Sequence, residues 1–485
     1  MSTFSGLNTA YTGLAAARKG LEVTGQNMAN INTPGYTRQR VTTSAMGGAA
    51  LTGKFSTGVR MGQGVSVDGI ARLGSMQLDT RVRATAAASG FSAVRANALS
   101  TLETGLQEPG KNGISTTLTN FWAAWQGVTN KPGDEAVATG LLGQAQTLAS
   151  QISSGYSAVD SQWSDTHTDL RNMAAELNGA ATQIAGLNSQ IRSTLASGGS
   201  ANELIDQRNA LTITVAALAG GTVRESGDGM VDVLIDGNAL VSGDVVRPVE
   251  VAGAARMPTG TVTDADVPRL EWSHRKDSPI SVGGEIAGTL SLLRPETATG
   301  PAGDLVSAAA GYNTLARELA TAVNTLHNGA LNTAGNAVGD FFGLTTGSEA
   351  LSLKVLPTNA SGIATGAAGN GNLDTSVADA IAQLDTERWS TGTPPVKLAT
   401  PGAVWSNFVS GIGASARTEM QQAQLAGVAA TTSVDIQLSN ASVSLDEENI
   451  NLLAYQHAYQ GSARVMTAID EMLDTLINRT GIVGR

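Results

Sequence analysis

The chain has 485 residues, no cysteine, 57 glycines and a net charge of −11. The missing cysteine excludes disulfide staples, thiolate metal sites and cysteine nucleophiles. An acidic balance with no basic cluster argues against nucleic-acid partners and anionic membranes, which both need concentrated Lys and Arg. No apolar run reaches transmembrane length, and the N-terminus lacks a basic segment followed by an apolar core, so membrane insertion and a cleaved signal peptide of the ordinary kind are not expected. The length suggests roughly three domains. Few aromatic residues point to helices packed through Ala, Leu and Val.

The first element is a helix over residues 4–31, about 42 Å long at 1.5 Å per residue. Leu7, Leu14, Leu21 and Met28 recur every seven positions, with Phe4 and Tyr11 as a second file. Gly6, Gly13 and Gly20 keep the same step, and Gly25 lies beyond. Such glycines mark either a poor helix or a small-residue stripe that lets another helix approach closely. The apolar side chains are too few to offset the entropy of ordering the segment, so it is expected to order only when docked. Asn27, Asn30 and Asn32 lead into Pro34-Gly35-Tyr36, where a helix cannot continue.

Residues 37–70 read as extended, with Val59, Met61, Val65 and Val67 alternating as in a short hairpin. A long helix is expected from about Leu73 to Leu106, and a shorter one over 114–128 with Phe121, Trp122 and Trp125. Leu170, Leu177, Ile184 and Ile191 keep a strict heptad up to Gly198-Gly199. Ser200-Ala201-Asn202-Glu203 matches a capping box opening the next helix. From Gly220 the period changes to two. Val231, Val233 and Ile235 alternate, Asp236-Gly237-Asn238 supplies hairpin chemistry, and short alternating runs continue to about Leu293. Tyr312, Leu315, Leu319, Val323 and Leu326 restore the helical period. Residues 329–402 carry little pattern beyond a short helix around Val377–Leu384. Helix returns from Trp405 to Ser439, and Ser444-Leu445-Asp446-Glu447 is a second capping box. The last helix would span about 54 Å, with Leu445, Leu452, Tyr459, Met466 and Leu473 on a seven-residue step and Tyr455, Ile469 and Leu476 beside them. Two heptad helices at opposite ends imply that the termini meet.

The stretch Gln26 to Tyr36 resembles the N-terminal signature of bacterial flagellar axial proteins, the family of rod, hook and hook-associated proteins. Val443 to Glu448, Tyr455 to Gln460 and Ala463-Arg464-Val465 are similar to its C-terminal signature. Three details resemble the hook-associated members: Tyr36-Thr37-Arg38-Gln39-Arg40-Val41, the stretch Asn202 to Asn209, and Val323 to Asn328 followed by Gly339-Asp340-Phe341-Phe342. Gly461 stands where Ala is more usual. The resemblance implies a structural protein of the hook–filament junction, a ring in the axial structure whose terminal helices pack into an inner tube. It implies hook protein and a second junction protein or filament as neighbours. It also implies an export chaperone, passage through the type III export apparatus without cleavage, and an extracellular place on the flagellum. Within the family the alternative is hook or another axial protein; outside it, a peptidoglycan-cleaving flagellar protein.

No catalytic, cofactor-binding or metal-binding residues are assigned. His167, His274, His327 and His457 show no metal-ligand spacing, and no H-E-x-x-H, Walker loop or G-x-S-x-G elbow is present. Asp228, Asp232, Asp236 and Asp244 read as solvated strand and turn residues, with a calcium site as the lesser reading. Arg38 and Arg40 either pair with acids of a neighbouring copy or are solvated. The expected fold is mainly α with a β insertion: terminal helices paired as a coiled coil, a helical core and an antiparallel β outer domain. The expected divisions are 1–36 (assembly helix and joint), 37–220, 301–335 and 403–440 (helical core), 221–300 (β-rich insertion), 336–402 (small domain) and 441–485 (C-terminal assembly helix). The expected assembly interface is Phe4, Leu7, Tyr11, Leu14, Leu21 and Met28 with Leu445, Leu452, Tyr459, Met466, Ile469, Leu473 and Leu476. The expected joint is Asn27, Asn30, Asn32, Pro34, Gly35 and Tyr36. Because the first helix is glycine-rich, neighbouring subunits are expected to be its stable partner, rather than its own C-terminus alone.

Overall fold

The architecture is that of a computed structural model, which describes residues 3–47, 62–259, 262–296, 301–390, 392–393 and 395–479. Val59 and Met61 of the expected hairpin lie outside the described residues, as does the Phe4 side chain. Helix α1 spans Thr3–Ala29. Strands β1 (Gln39–Ala45) and β2 (Val65–Arg72) pair antiparallel, with a bulge between Thr42 and Thr43. Three helices follow: α2 (Met76–Leu106), α3 (Ile114–Asn130) and α4 (Glu135–Ala196).

Helix α4 is 62 residues long, about 93 Å at 1.5 Å per residue. Its start is fixed by Asp134, whose side chain accepts from the Ala136 and Val137 amides. Along its fully buried line, Leu141, Ile152 and Trp163 are spaced by eleven residues, and from Leu170 through Leu177, Ile184 and Ile191 the step is seven. An eleven-residue repeat keeps one face of a nearly straight helix inward as a heptad does, but only the second half reads as a coiled coil.

Helix α5 runs over Asn202–Ala219. The expected capping box at Ser200 does not form: the N-cap is Ala201, with no side-chain cap bond. Glu203 is instead engaged by the amides of Gln26 and Gln39. After Gly220, in the left-handed region at φ 72°, come β3 (Thr222–Glu225), β4 (Val231–Ile235), β5 (Asn238–Ser242) and β6 (Val245–Val246) as one antiparallel sheet in sequence order. A second sheet holds β7 (Val249–Ala252), β8 (Arg269–Trp272) and β9 (Arg275–Pro279). The β pattern stops there. Gly284–Leu293, expected to continue it, is helix α6. Short apolar runs do not separate buried strand from buried helix, and Gly284 at φ 62° sits hard against the Ala217 carbonyl, turning the chain back onto α5.

Helix α7 (Asp304–His327) is followed by β10 (Phe342–Gly343), α8 (Glu349–Ser352), β11 (Lys354–Val355), α9 (Ser376–Ala382), β12 (Arg388–Trp389) and β13 (Lys397–Leu398). Then come α10 (Pro401–Ala441) and α11 (Leu445–Asp474). One continuous apolar cluster links α2–α7 and α10 with Val233 and Leu240 of the first sheet, Leu270 of the second, and Phe341, Phe342, Ile363 and Ile381 of the small region. The β insertion and residues 336–402 therefore share the helical core. Arg95 clamps its outer side, reaching Asp304 of α7, Glu419 of α10 and Ser291 of α6.

Candidate functional site: the paired termini and their joint

Helices α1 and α11 lie antiparallel along one another, away from that core. Gly6, Gly13 and Gly20 face Ile469, Ser462 and Tyr455 in turn, seven residues up one helix for seven down the other. A Cβ on Gly20 would fall 2.5 Å from the Tyr455 ring, and on Gly13 3.1 Å from the Ser462 hydroxyl. The glycines are thus the stripe of close approach, with Ala10 and Ala17 buried beside them. Leu7, Leu14, Leu21 and Met28 flank the stripe and are partly buried, while Tyr11 is exposed. The expected pairing of the two terminal helices is made within the single chain: small residues make α1 poor in propensity but let it pack closely.

On α11, Ile469 is buried and Leu452, Met466 and Leu473 are partly buried toward α1, whereas Leu445, Tyr459 and Leu476 are exposed. Gly461, where Ala is more usual, has open space around it. Other apolar side chains of this segment are left uncovered. Ile450, Leu453, Val465, Met472 and Leu476 are each more than half exposed. At 100° per residue, Ile450 and Leu453 point about 140° and 160° from Tyr455, Val465 and Met472 lie about 60° to one side of Ser462 and Ile469, and Leu476 follows Ile469 by seven residues. The seven-residue pattern read from the sequence does not include Ile450, Leu453, Val465 or Met472.

The joint is a polar node rather than a simple turn. Asn27, 1% exposed, donates to the Gln39 carbonyl and to Glu448 Oε2, and its Oδ1 accepts from the Gln39 amide and the Tyr36 hydroxyl. Burial, with Glu203, Asp206 and Glu448 nearby, pushes the Tyr36 phenol up to about 12, so it stays a donor. Arg38 binds both Glu447 and Glu448 of its own chain, so it is neither solvated nor held for a neighbouring copy, the two expected readings. The two acids read as helix-capping residues are spent on this pair, and Ser444 makes no side-chain cap bond. The Thr37 amide donates to Asp206, which also holds Arg72, while Asn202 donates to Gln39 Oε1 and to the Ile70 carbonyl. Asn30 serves locally, donating to the Gln26 carbonyl and accepting from Thr33. Asn32, Pro34 and Gly35 are exposed, with Gly35 at φ 78°. The node joins the end of α1, the start of β1, the start of α5 and the start of α11.

A model of the flagellar hook-associated protein FlgK helical domain matches residues 99–342. Those residues are half of the chain. The chain belongs to the FlgK family of flagellar hook-associated proteins. The flagella basal body rod protein model matches residues 7–37, and the basal body rod FlgEFG C-terminal model matches residues 437–479. These two matches fall on the paired helices and joint. Flagellar hook-associated protein 1 of Bacillus subtilis is 29% identical, with all of both chains covered. The protein of that name from Salmonella typhimurium is 27% identical over 70% of this chain and 59% of its own. The solved structure of the flagellar hook junction protein FlgK from Burkholderia pseudomallei superimposes with a TM-score of 0.62 at 16% identity, covering 75% of this chain and all of that one, a likeness of fold. The role is structural, at the hook–filament junction of the bacterial flagellum, in an axial structure that assembles from flagellar components.

The interior stretches that resemble the FlgK family are structural ties. Asn324 accepts from the Phe341 and Phe342 amides and donates to the Phe342 carbonyl. His327 lies 2.6 Å from the Gly339 carbonyl through Nδ1 and accepts the Ala364 amide at Nε2. Burial holds its pKa below the usual value. Arg208, lowered to about 10 by burial, donates to Asn188 and the Gly229 carbonyl, fixing α5 to α4 and the first sheet. Among the four β-block acids, Asp232 binds Arg224, Asp244 binds Arg192, Asp236 accepts from the Ser281 amide and Asp228 from the Met230 amide. Among the described residues no three His, Cys, Asp or Glu side chains are grouped to hold a metal, and no helix is long and apolar enough to cross a membrane.

Proposed function

We propose that this chain builds its ring through the exposed apolar side chains of α11. The single observation that carries the reading is that Ile450, Leu453, Val465 and Met472 are each more than half exposed on α11, Ile450 and Leu453 on the side away from α1 and Val465 and Met472 at its flank. Exposed apolar surface of this extent is covered when copies pack side by side. The flanking side chains Leu7, Tyr11, Leu14, Leu445 and Tyr459 extend that contact, and the joint sets the angle at which residues 37–440 leave the helical tube. Hook protein on one side, and a second junction protein or filament on the other, complete the junction. The chain leaves the cell unfolded through the type III apparatus, escorted by a chaperone and without cleavage, and it works with no catalytic step.

Leu453→Glu and Val465→Glu test the reading. Each is expected to leave the circular dichroism spectrum and urea midpoint unchanged and to remove the chain from purified hook–basal bodies, with filaments lost. Normal retention of both variants overturns assembly through these side chains.

A further inference from the structure

The charges of the joint are almost completely matched within the chain. Arg38 takes Glu447 and Glu448, Arg72 takes Asp206 and reaches Asp79, and Glu203 takes two side-chain amides. Two charges are left over among the described residues of the joint. Arg40 stands on the exposed side of β1, between buried Gln39 and Val41, and its guanidinium has no partner among the described residues. Asp446, exposed in the first turn of α11, has none either. The two do not bond to each other, although each is next or next but one to a member of the Arg38–Glu447 pair. Arg40 borders a cleft of about 240 Å³ that also takes in Gly20, Arg38, Glu448, Asn451 and Tyr455, between α1, β1 and α11.

We propose that Arg40 of one copy binds Asp446 of the next copy around the ring. The proposal rests on the ring reading above. In a ring, every contact is heterologous: one patch of each copy meets a different patch of its neighbour. Rotation about the ring axis keeps each residue at nearly its own height. A pair joining neighbours at the joint must therefore come from residues already at one level in the single chain. The in-chain Arg38–Glu447 bond places Arg40 and Asp446 at such a level: two strand residues are about 7 Å and one helix residue about 1.5 Å. One unspent cation and one unspent anion at that level give the complementary rim that fixes register between copies. The exposed apolar side chains of α11 supply contact area but no marker of register, since a slide by one turn brings similar side chains together.

Charge reversals in the full-length chain test the pair. Arg40→Glu or Asp446→Arg alone is expected to lower retention in hook–basal bodies about fivefold, in line with the loss of a partly exposed pair and its replacement by like charges. The double reversal restores retention. Coexpression of the two single variants also restores it, because the new acid of an R40E copy then meets the new base of a D446R neighbour, while the unaltered Arg40 and Asp446 meet at the next contact. Pairing inside one chain predicts rescue by the double reversal but none by coexpression, and that result overturns the proposal. Wild-type retention of both single variants overturns it too. If Leu453→Glu still blocks retention in that case, the ring reading stands and the charge pair alone fails.

Discussion

Glycine spacing on α1 makes opposite predictions for neighbouring positions on one helix. At Gly25 a Cβ meets nothing within 4 Å, whereas at Gly20 it overlaps the Tyr455 ring at 2.5 to 2.7 Å. Replacing Gly by Ala in a helix gains about 1 kcal/mol of propensity, and Gly25→Ala should realise all of it. In Gly20→Ala the same gain is opposed by overpacking, which costs roughly 1–3 kcal/mol. The ring must move by about 1 Å to reach ordinary contact, and the paired helices move with it. Hydrogen exchange over residues 5–30 and 450–475 reads the local opening directly. Gly25→Ala is expected to slow exchange about fivefold, and Gly20→Ala to leave it unchanged or speed it up to about thirtyfold, at 1.4 kcal/mol per tenfold. Tyr455→Ala supplies the control: in that background Gly20→Ala should become as stabilising as Gly25→Ala, a non-additivity diagnostic of direct contact. Equal protection by the two alanine variants in the parent chain would refute the close-approach stripe.

Removing the Arg38 side chain leaves Glu448, 1% exposed, with Asn27 and Asn451 as its side-chain partners. Arg38→Ala should therefore destabilise the helix pair by about 3 kcal/mol, measured as faster proteolysis of both termini with the core intact. Asn324→Ala removes the acceptor of two amides and the donor to the Phe342 carbonyl and should cost about 2–4 kcal/mol, read from the urea midpoint. His327 and His167 both have pKa values lowered by burial. Their unfolded forms gain a proton near pH 6.5 before the folded forms do. Their contribution to stability is thus complete above about pH 6.5 and lost as pH falls through the depressed folded values. A urea midpoint that falls between pH 7.5 and 5.5, with a shallower fall in His327→Gln, is the expected result.

How much of this was legible in the sequence depended on the kind of signal. The helices with heptads or long periodic runs, α1, α2, α7 and α11, were visible because their apolar residues recur at helical spacing. The first half of α4 was passed over although Tyr156 and Trp163 extend the seven-residue step of Leu170 to Ile191, because the many Ala, Gly, Ser and Gln between its larger side chains dilute the apolar contrast. Helix α6 was missed because Ile286 to Leu293 is apolar on nearly every side, which removes the contrast that period depends on. At the joint, Asn27 and Tyr36 were visible as turn chemistry. The residues that complete the node, Glu448, Asp206 and Asn202, take partners across the node 132 to 421 residues away, and no local pattern encodes such pairings. The resemblance of Asn202 to Asn209 marked the right stretch without saying what each side chain does: Asn202, Glu203 and Asp206 serve the joint, and Arg208 serves the sheet.

The contrast between joint and tube has a mechanical consequence. The α1–α11 contact is made of glycine, alanine and a few larger side chains, so it is tolerant of sliding and supplies little angular restraint. Hydrogen bonds weaken steeply away from their preferred geometry, so a node of them holds direction where apolar contact does not. Glu448 sits where this matters: one carboxylate takes Asn27 from the end of α1, Arg38 from the lead into β1 and its own helix at the start of α11. Replacing the node with apolar residues of similar size is therefore expected to preserve or raise stability while blurring the angle between tube and core. A direction shared by all copies is what the proposed ring requires, and that requirement would account for a buried polar node at the end of a helix pair whose own contact is largely apolar.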